Sequence, residues 1–401
     1  MPKRSQIAAF SGVFIVITSL VLAQVHAGPR FKVLHAFGKT EDAGLWGSLT
    51  LDASGNLYGT TMGSVFRLAP QPDGMWKLTT LHQFHYPGKG GAAPNGGLIF
   101  DPAGNLYGTT ATGGVHDKGV IFELTPGPGA WKETVLYSFC PKPGCKDGGA
   151  PSSGVVMDGS GNLYGAAGVA YELARENDGW KEVVLHHFAG KNGDGDDAEG
   201  GVIRDASGDV YGTTRGGGVQ CGSTTCGTVY KLTPEPDGKW KETILHRFDN
   251  NGVDGITPGG GALFMDASGD LYGTTAGGGC CGGVTFQLAR SEDGHWKETI
   301  LYEFPGGEDG EEPGAGVVMD AARNLYGTTI YGGDPDCDCG VVYKLAPGAK
   351  GKWVYTALHA FTGFDGAQPD ANLIVDPRGN LYGTAATGGK YGGGVVFEIT
   401  P

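Results

Sequence analysis

The chain has 401 residues, 76 of them glycine, and a formal net charge of −14. An acidic chain without a cluster of lysine and arginine is a poor partner for nucleic acid or an anionic membrane surface, so we expect neither. Glycine is far above its average of roughly 7%, but the glycines alternate with short apolar runs. This alternation is typical of many short strands joined by tight turns.

The first 27 residues have the features of a secretory signal peptide. A positive start at Lys3 and Arg4 precedes a largely apolar run, and a small-residue cleavage site ends at Ala27. The apolar run is shorter than the roughly 20 residues that a spanning helix needs. We therefore predict that residues 1–27 are removed, which lowers the net charge from −14 to −16. The mature chain is then secreted, either extracellular or periplasmic, and does not insert into the membrane.

A seven-residue motif, Gly-Asn-Leu-Tyr-Gly-Thr-Thr or a close variant, occurs seven times. Successive motif tyrosines are 47 to 61 residues apart, and irregular spacing around a constant core indicates one structural unit with loops of variable length. The motif tyrosines are Tyr58, Tyr107, Tyr164, Tyr211, Tyr272, Tyr326 and Tyr382.

Each repeat contains four strand-like segments, which in the second repeat are residues 98–100, 105–110, 120–124 and 131–139. Four short strands per repeat are typical of a β-propeller blade. The first segment is almost continuously apolar, which predicts an innermost strand packed between neighbouring blades. The sequence thus predicts an all-β fold, a seven-bladed β-propeller with four antiparallel strands per blade, in a single domain over residues 28–401.

The two ends of the repeat region complement each other. A fourth-strand pattern at residues 32–37 precedes the first full repeat, and the last repeat stops at residues 395–401 without a fourth strand. We predict that the N-terminal strand completes the last blade, because joining both ends in one sheet removes open edges that invite aggregation.

An aspartate ends the first segment of every repeat, and three residues later comes glycine, or Arg323 in one copy. The carboxylate can accept hydrogen bonds from backbone amides of the turn, while glycine supplies a positive φ. We interpret these residues as turn residues and not as a metal or catalytic ring. They are Asp52, Asp101, Asp158, Asp205, Asp266, Asp320 and Asp376.

The repeat resembles that of the choice-of-anchor tandem-repeat proteins of the GloVer type, which reads Asp-x-x-Gly-Asn-Leu-Tyr-Gly-Thr-Thr, Gly-Gly, Val-Phe-Lys-Leu-Thr-Pro and Trp. The resemblance covers residues 30–401. It implies an exported bacterial surface protein, and it implies no established reaction or ligand. The chain departs from the family pattern by ending at Pro401, directly after a strand.

The loops of a propeller divide between two faces. If the fourth strand is outermost, the loops from strand four to the next strand one share a face with those between strands two and three. These loops are long and individual, whereas the opposite turns are short and repetitive, so we expect any site on this long-loop face.

All eight cysteines fall in loops of this face, and an even number in an exported chain indicates disulfides. Cys140 can pair with Cys145, and Cys221 with Cys226, across short local rings. Either local rings or links between blades remain open for Cys280, Cys281, Cys337 and Cys339. A thiolate metal site fits an oxidising compartment less well.

Acidic clusters on the same loops offer hard oxygen ligands for a cation. No cofactor is established by the sequence, and Ca²⁺ is the ion that such ligands suit. Asp-Gly is also an ordinary turn pair, and no segment matches the twelve-residue calcium loop. The candidate metal ligands are Asp194, Asp196, Asp334 and Asp336.

Residues that depart from the repeat, or lie in long-face loops, are candidates for ligand binding. Trp46 leaves the register in which the other six tryptophans open the outer strand. We expect it near the channel mouth, either stacked on a sugar ring or buried as a plug. Arg204 replaces an apolar inner-strand residue and could grip a carboxylate together with Arg215, or pair with a turn aspartate. The remaining candidates are His116, Tyr331 and Tyr391.

Most histidines share one position of the outer strand, where two repeats carry tyrosine instead. Exchange with tyrosine indicates a packing or hydrogen-bonding position and not a catalytic base. The seven residues are His35, His82, Tyr137, His186, His246, Tyr302 and His359.

Two functions of different classes remain. The first is an exported, non-catalytic, monomeric module that binds a polysaccharide or a cell-surface protein through the long-loop face. The second is an extracellular polysaccharide lyase or hydrolase, or a lactonase-like metal enzyme, that uses a carboxylate pair or calcium with Arg204 and Arg215. No His-Glu-x-x-His or Gly-x-Ser-x-Gly arrangement occurs, and no catalytic residue is identified, so the sequence favours the first.

Overall fold

The computed structural model describes residues 28–39, 43–141 and 143–401, and the expected signal peptide lies outside this part. The described chain forms seven four-stranded antiparallel sheets in a ring, which is a seven-bladed β-propeller without α-helices. None of the described residues form a helix with the length and apolar character needed to span a membrane. The fold prediction is therefore confirmed.

In each blade the strands run from the channel outwards in chain order, except that the outer strand of blade 7 comes from the N-terminus. Blades 1 and 2 contain Thr50–Leu51, Leu57–Thr60, Ser64–Pro70 and Trp76–Gln83, then Ile99–Phe100, Leu106–Thr110, Val120–Thr125 and Lys132–Ser138. Blades 3 and 4 contain Val156–Met157, Leu163–Ala166, Val169–Glu176 and Gly179–His187, then Ile203–Arg204, Val210–Thr214, Thr228–Pro234 and Trp240–Arg247. Blades 5 and 6 contain Phe264–Met265, Leu271–Gly278, Val284–Arg290 and Trp296–Glu303, then Val318–Met319, Leu325–Thr329, Val341–Pro347 and Trp353–Ala360. Blade 7 contains Ile374–Val375, Leu381–Ala385, Gly392–Thr400 and Arg30–Gly38.

The N-terminal strand closes the ring as predicted. Arg30–Gly38 pairs antiparallel with Gly392–Thr400, from Arg30 opposite Thr400 to Gly38 opposite Gly392. Gly392–Thr400 in turn pairs with Leu381–Ala385. Both ends of the described chain therefore lie in one sheet.

The Tyr-Gly step of the motif has a packing role, which blade 2 illustrates. The hydroxyl oxygen of Tyr107 lies 3.2 Å from Asp101 and 3.1 Å from Glu123, so its one proton is shared between the two carboxylates and ties the second strand to the turn and to the third strand. A Cβ at Gly108 would lie 2.7 Å from the Phe122 ring, so glycine makes room for this core aromatic.

The two motif threonines make different hydrogen bonds. Thr109 Oγ1 donates to the carbonyl of Ser153 in the next blade at 2.7 Å. Thr110 Oγ1 donates to the carbonyl of Thr112 at 2.9 Å and so shapes the following loop. The first threonine therefore joins blades, and the second holds a long-face loop.

The turn aspartates have the structural role that the sequence predicts. One oxygen of Asp52 accepts the amides of Ser54 and Asn56 at 2.8 and 2.9 Å, and the other accepts the Asn56 side chain at 2.8 Å and the Tyr58 hydroxyl at 3.1 Å. Burial alone would raise the pKa of Asp52, but these hydrogen bonds outweigh burial and hold the pKa below its ordinary value.

Hydrophobic clusters join neighbouring blades. Tyr58 and Leu81 of blade 1 pack in one cluster with Leu106 and Phe122 of blade 2. Full burial of such a side chain is worth roughly 1.5–3 kcal/mol. The contacts between blades therefore stabilise the ring as a whole.

Short ladders connect the two kinds of loop on the long-loop face. Gly91–Ala92 pairs with Thr112–Gly113, Gly195–Asp196 with Gly216–Gly217, and Gly255–Pro258 with the end of Leu271–Gly278. Each ladder joins a loop from strand four to strand one with a loop from strand two to strand three, so these loops do share a face. The remaining short elements are the hairpin of Gln220–Cys221 with Thr224–Thr225 and the 3₁₀ turns Gly307–Asp309 and Ala349–Gly351.

Candidate functional site

The channel between the inner strands opens on the long-loop face into a cavity of about 520 Å³. The segments just before the inner strands line this cavity. One position, three residues before the first apolar residue of each inner segment, reaches it in all seven blades. We call these residues the mouth ring, which consists of Trp46, Asn95, Ser152, Glu199, Gly260, Gly314 and Asp370. The surrounding repeat is regular, whereas this position changes from blade to blade.

The backbone before the mouth ring has an unusual conformation that sets the path of each loop. Ala93, two residues before Asn95, has a φ of 53°, and its carbonyl accepts the amide of Ala111 at 3.0 Å. A left-handed residue with a side chain costs roughly 1–2 kcal/mol, which this hydrogen bond helps to offset. The corresponding left-handed residues in the other six blades are Gly44, Ala150, Asp197, Thr257, Glu312 and Gln368.

Trp46 belongs to an uncharged side of the mouth ring, followed around the ring by Asn95 and Ser152. Trp46 keeps 39% of its surface exposed, so it lines the opening and does not fill the channel as a plug. Ser152 Oγ donates to the carbonyl of Glu199 at 3.0 Å. This side of the opening combines an aromatic face with amide and hydroxyl groups.

The other side of the opening is acidic. Burial, followed by the charge of Glu312, raises the pKa of Asp370 to about 6. The Asp370 side chain has no hydrogen-bond or ion-pair partner among the described residues. Burial and the nearby Asp197 also raise the pKa of Glu199, against the effect of Arg215, whose Nη1 lies 3.7 Å from a Glu199 carboxylate oxygen. Three carboxylates and one guanidinium thus share the cavity wall.

Of the six residues expected to bind a ligand, Trp46 and Arg215 line the cavity. His116 is exposed in a loop of blade 2, Tyr331 is half-buried in blade 6, and Tyr391 is 55% exposed beside Lys390. These three side chains are not part of the cavity lining.

The sequence-based expectation that Arg204 and Arg215 act together is wrong. Arg204 ends its inner strand opposite Val210, with its guanidinium carbon 5.1 Å from the ring centroid of Tyr164 in the neighbouring blade. Arg215 lies five residues beyond Val210, roughly 17 Å along the strand at the usual rise. The two side chains therefore lie at opposite ends of the blade, and Arg204 stacks on an aromatic ring instead of pairing with a turn aspartate.

The four aspartates expected to bind Ca²⁺ have different surroundings. Asp194 accepts the amide of Ala189 at 2.7 Å and lies 3.4 Å from His186 Nε2. Asp334 accepts the amide of Asp336 at 2.9 Å, as in an ordinary aspartate turn. The Asp336 side chain is exposed, as is that of Asp196.

Three cysteine pairs are present, and all are local. They join Cys140 to Cys145, Cys221 to Cys226, and Cys337 to Cys339. The prediction of disulfides at Cys280 and Cys281 is not met, because both thiols are free and exposed. Neighbouring residues in the chain seldom reach the geometry that a disulfide requires.

Two of these pairs lie where one blade is linked to the next. The carbonyl of Cys226 accepts the amide of Thr257, and the carbonyl of Cys339 accepts the amide of Gln368, both at 2.9 Å. Thr257 and Gln368 precede the inner strands of the next blades. The cysteine pairs therefore support the loops that carry the mouth ring.

Sequence reasoning missed Glu199, Glu312 and Asp370. A signal was present, because Glu199 and Asp370 occupy the register of Trp46 when the repeats are aligned on their inner strands. Charged residues are common in loops, and the sequence does not show that this position points into a shared opening.

The same fold occurs in solved structures of low sequence identity. Virginiamycin B lyase from Staphylococcus aureus matches with a TM-score of 0.57 and 13% identity over 93% of this chain and 100% of that chain. A streptogramin B lyase matches with a TM-score of 0.54 and 13% identity over 93% and 97%. The extracellular domain of a hybrid two-component system from B. thetaiotaomicron matches with a TM-score of 0.55 and 14% identity over 94% of this chain and 41% of that chain. Similarity at this level shows the fold alone, because one fold can host many different activities.

No curated protein shows significant sequence similarity to the chain. A family model described as the Gloeobacter/Verrucomicrobia repeat matches three overlapping or adjoining stretches, residues 20–167, 61–219 and 219–401.

Proposed function

The chain belongs to the Gloeobacter/Verrucomicrobia repeat family, and from this premise we propose that it is an exported, non-catalytic module that binds a glycan through the mouth ring. One observation carries the proposal: a regular scaffold presents non-equivalent side chains around a single cavity of about 520 Å³. This volume lies within the roughly 300–1,000 Å³ typical of ligand pockets. Variable side chains on a rigid repeated frame are a common basis for recognition.

The chemistry of the mouth ring suits a sugar, which has an apolar C–H face and a rim of hydroxyl groups. The exposed indole of Trp46 offers a surface for the C–H face. Asn95 offers both donors and an acceptor, and the carboxylates of Glu199 and Asp370 accept from hydroxyls. A ligand would thus stack on one side of the opening and donate hydrogen bonds on the other.

Charge narrows the class of glycan. Glu199, Glu312 and Asp370 carry three carboxylates, and Arg215 supplies one opposing charge. This arrangement disfavours uronic acids and sulfated sugars and suits neutral or amino sugars. A ligand with a carboxylate, which the expected pairing of Arg204 with Arg215 would have favoured, is therefore not expected here.

Export is part of the proposal. The three local cysteine pairs are compatible with an oxidising compartment, where disulfides persist. The features of residues 1–27 support the same location.

The Asp370 carboxyl favours acid catalysis on a polysaccharide as a second candidate function. Its pKa of about 6 lies close to neutral, and Glu312 provides a second carboxylate nearby. A general acid works best when its pKa lies near the working pH, and paired carboxylates are the usual machinery of glycoside hydrolysis.

Affinity electrophoresis of the mature chain separates these functions. Native gels would contain a neutral β-glucan, chitosan or polygalacturonate, and would be stained for protein and for polysaccharide. We expect retardation by the β-glucan or chitosan, little by polygalacturonate, and no loss of polysaccharide stain. Clearing of the stain that disappears in Asp370→Asn would instead establish catalysis.

Two matched variants test the location of the site. Trp46→Ala should abolish most of the retardation, because stacking contributes much of the contact with a sugar face. Tyr391→Ala removes another exposed aromatic that lies outside the cavity, so it should leave retardation unchanged. Equal loss in both variants, or no retardation by any polysaccharide, would contradict the proposal and favour a protein ligand.

A further inference from the structure

A second group of polar side chains lies on the outer rim, where the fourth strands of neighbouring blades meet. At each such rim junction, the histidine or tyrosine of one outer strand faces a residue of the next outer strand. In several junctions, an aspartate from the connecting loop reaches the same point. These groups are separate from the mouth ring.

The junction between blades 3 and 4 brings three potential metal ligands together. His186 Nε2 lies 3.4 Å from Asp194 Oδ1 and 3.6 Å from Glu242 Oε1. One ligand atom of each residue lies within 4.8 Å of the other two. The triad combines one imidazole with two carboxylates.

The junction between blades 4 and 5 repeats the arrangement. His246 Nε2 lies 3.2 Å from Asp254 Oδ2 and 3.6 Å from Glu298 Oε2. Asp254 is held in place by the amides of Asp249 at 2.9 Å and Gly255 at 2.7 Å. Asp254 is only 7% exposed, so this triad is the more enclosed of the two.

The spacing of these atoms matches the coordination shell of a tetrahedral ion. Zinc binds imidazole nitrogen and carboxylate oxygen at about 2.0–2.1 Å, which places neighbouring ligands roughly 3.3 Å apart. The observed separations from histidine nitrogen to carboxylate oxygen are 3.2–3.6 Å. The two carboxylate oxygens lie within 4.8 Å of each other, so a shift of the carboxylates towards each other would complete the shell.

An independent observation concerns unsatisfied oxygens. Glu242 Oε1 and Glu298 Oε1 are buried and accept no hydrogen bond from the described residues. Two carboxyl groups also face one imidazole in each triad, and burial together with the neighbouring aspartate raises the pKa of Glu242 and of Glu298, because a second negative charge at this point is unfavourable. Burial of such a charge is costly without a further partner, and a divalent cation would balance it.

In the part of the chain that the structure describes, the other rim junctions lack at least one of the three ligands. His82 lies 3.4 Å from Glu133, but Gly90 replaces the loop aspartate. Phe31 replaces the glutamate opposite His359 and stacks on its ring with centroids 3.6 Å apart. Tyrosine replaces the histidine in blades 2 and 5. Among the described residues, the complete triad is found at two junctions.

We propose that the two rim triads each bind one Zn²⁺ ion and thereby clamp blade 4 to both of its neighbours. Zinc suits a mixed set of imidazole and carboxylate ligands, whereas Ca²⁺ takes oxygen ligands. Asp194 then serves a zinc site with His186 and Glu242, not a calcium site with Asp196. The proposal does not rest on glycan binding, because no triad residue lines the mouth.

Calorimetric titration with ZnCl₂ tests the proposal directly. The mature chain would carry Cys280→Ser and Cys281→Ser, which remove the free thiols as competing ligands, and would be dialysed against a chelator and then into buffer. We expect two ions per chain, one in His186→Tyr or His246→Tyr, and none in the double variant. Tyrosine already occupies this position in two blades, so the substitution is compatible with the fold.

His82→Tyr is the matched control, because its junction lacks the aspartate, and it should still bind two ions. Zinc should also raise the Tm of the parent and of His82→Tyr but not that of the double variant. Should the double variant fail to fold, Glu242→Gln with Glu298→Gln provides the same test with smaller changes. Binding of less than one ion by the parent, or equal binding by parent and double variant, would show that the triads are ion pairs only. Glycan retardation is measured separately, so either proposal can fail alone.

Discussion

The two ends of the inner strands differ in how much their residues vary between blades. At one end, all seven blades carry an aspartate that accepts hydrogen bonds from its own turn, as Asp52 does. At the other end, the mouth ring runs from Trp46 to Asp370 through amide, hydroxyl, carboxylate and glycine. A residue that is identical in every blade has a structural role within that blade. A residue that differs from blade to blade serves something outside the blade.

Lowering the pH should have the largest effect on stability, because it protonates the turn aspartates at one end of the inner strands. Burial raises the pKa of a turn aspartate, but the hydrogen bonds from the turn outweigh burial and hold the pKa below the ordinary 3.8. This applies to Asp52, Asp101, Asp158, Asp320 and Asp376. A carboxyl with a lowered pKa stabilises the fold above its unfolded pKa, and this stability is lost as the pH falls through the folded value. We expect the free energy of unfolding, measured in urea from pH 6 to pH 2, to fall steeply below about pH 4. A flat profile would contradict the structural role of these carboxylates.

Substitution of a single turn aspartate should cause the next largest loss of stability. Asp101→Ala removes the acceptor for the amides of Ala103 and Asn105, for the Asn105 side chain and for the Tyr107 hydroxyl. We expect a loss of about 2–3 kcal/mol in the free energy of unfolding, because several partly buried donors lose their partner. Glycan retardation below the unfolding transition should not change.

The matched control for this prediction is Asp73→Ala. Asp73 is an exposed turn aspartate whose carboxylate accepts the amide of Met75 at 3.0 Å. Its loss should cost less than about 1 kcal/mol. Equal losses in the two variants would show that the inner-strand turn has no special weight.

Substitution of Asp370 in the mouth ring should raise stability, whereas substitution of a turn aspartate lowers it. Burial and Glu312 raise the pKa of Asp370 from 3.8 to about 6, so the fold loses stability as the pH rises from the unfolded pKa through the folded pKa, and the loss is complete above about pH 6. Asp370→Asn should therefore raise the Tm by about 1–3 °C at pH 8, and by much less at pH 4.5. Thermal unfolding at both pH values measures this difference. A lower Tm at pH 8 would show that the charge is compensated in the fold.

Substitution of Arg215 should give the smallest change in stability, and it tests whether the charge of the cavity selects the sugar. Its pair with Glu199 is largely exposed, at 62% and 44% of the side chains, and such pairs contribute at most about 0.5–1 kcal/mol. Arg215→Gln should leave the urea midpoint nearly unchanged and increase retardation by chitosan. Reduced retardation would instead assign Arg215 a direct contact with the sugar.

Some of the candidate site was predictable because it breaks the repeat. Trp46 stood out from its register, whereas Arg215 was named only as a loop partner of Arg204, and both Trp46 and Arg215 line the cavity. Glu199 and Asp370 were missed because a single charge in a loop carries no information about direction. The distant partners of the rim triads were missed for another reason. Glu242 lies one full repeat after His186, and nothing local to either residue shows that their strands meet.

The sequence by itself determined the number of blades, the order of the strands, the turn aspartates and the closure by the N-terminal strand. All of these depend on local patterns that recur every 47 to 61 residues, or on the absence of such a pattern at one end of the repeat region. The tertiary structure alone decided which side chains meet. Asn372 donates to Ser48 at 3.1 Å across 324 residues of chain, whereas Arg204 and Arg215 are eleven residues apart and lie at opposite ends of one blade. The physical reason is that closing the ring brings remote loops to one opening, while an extended strand carries near neighbours apart.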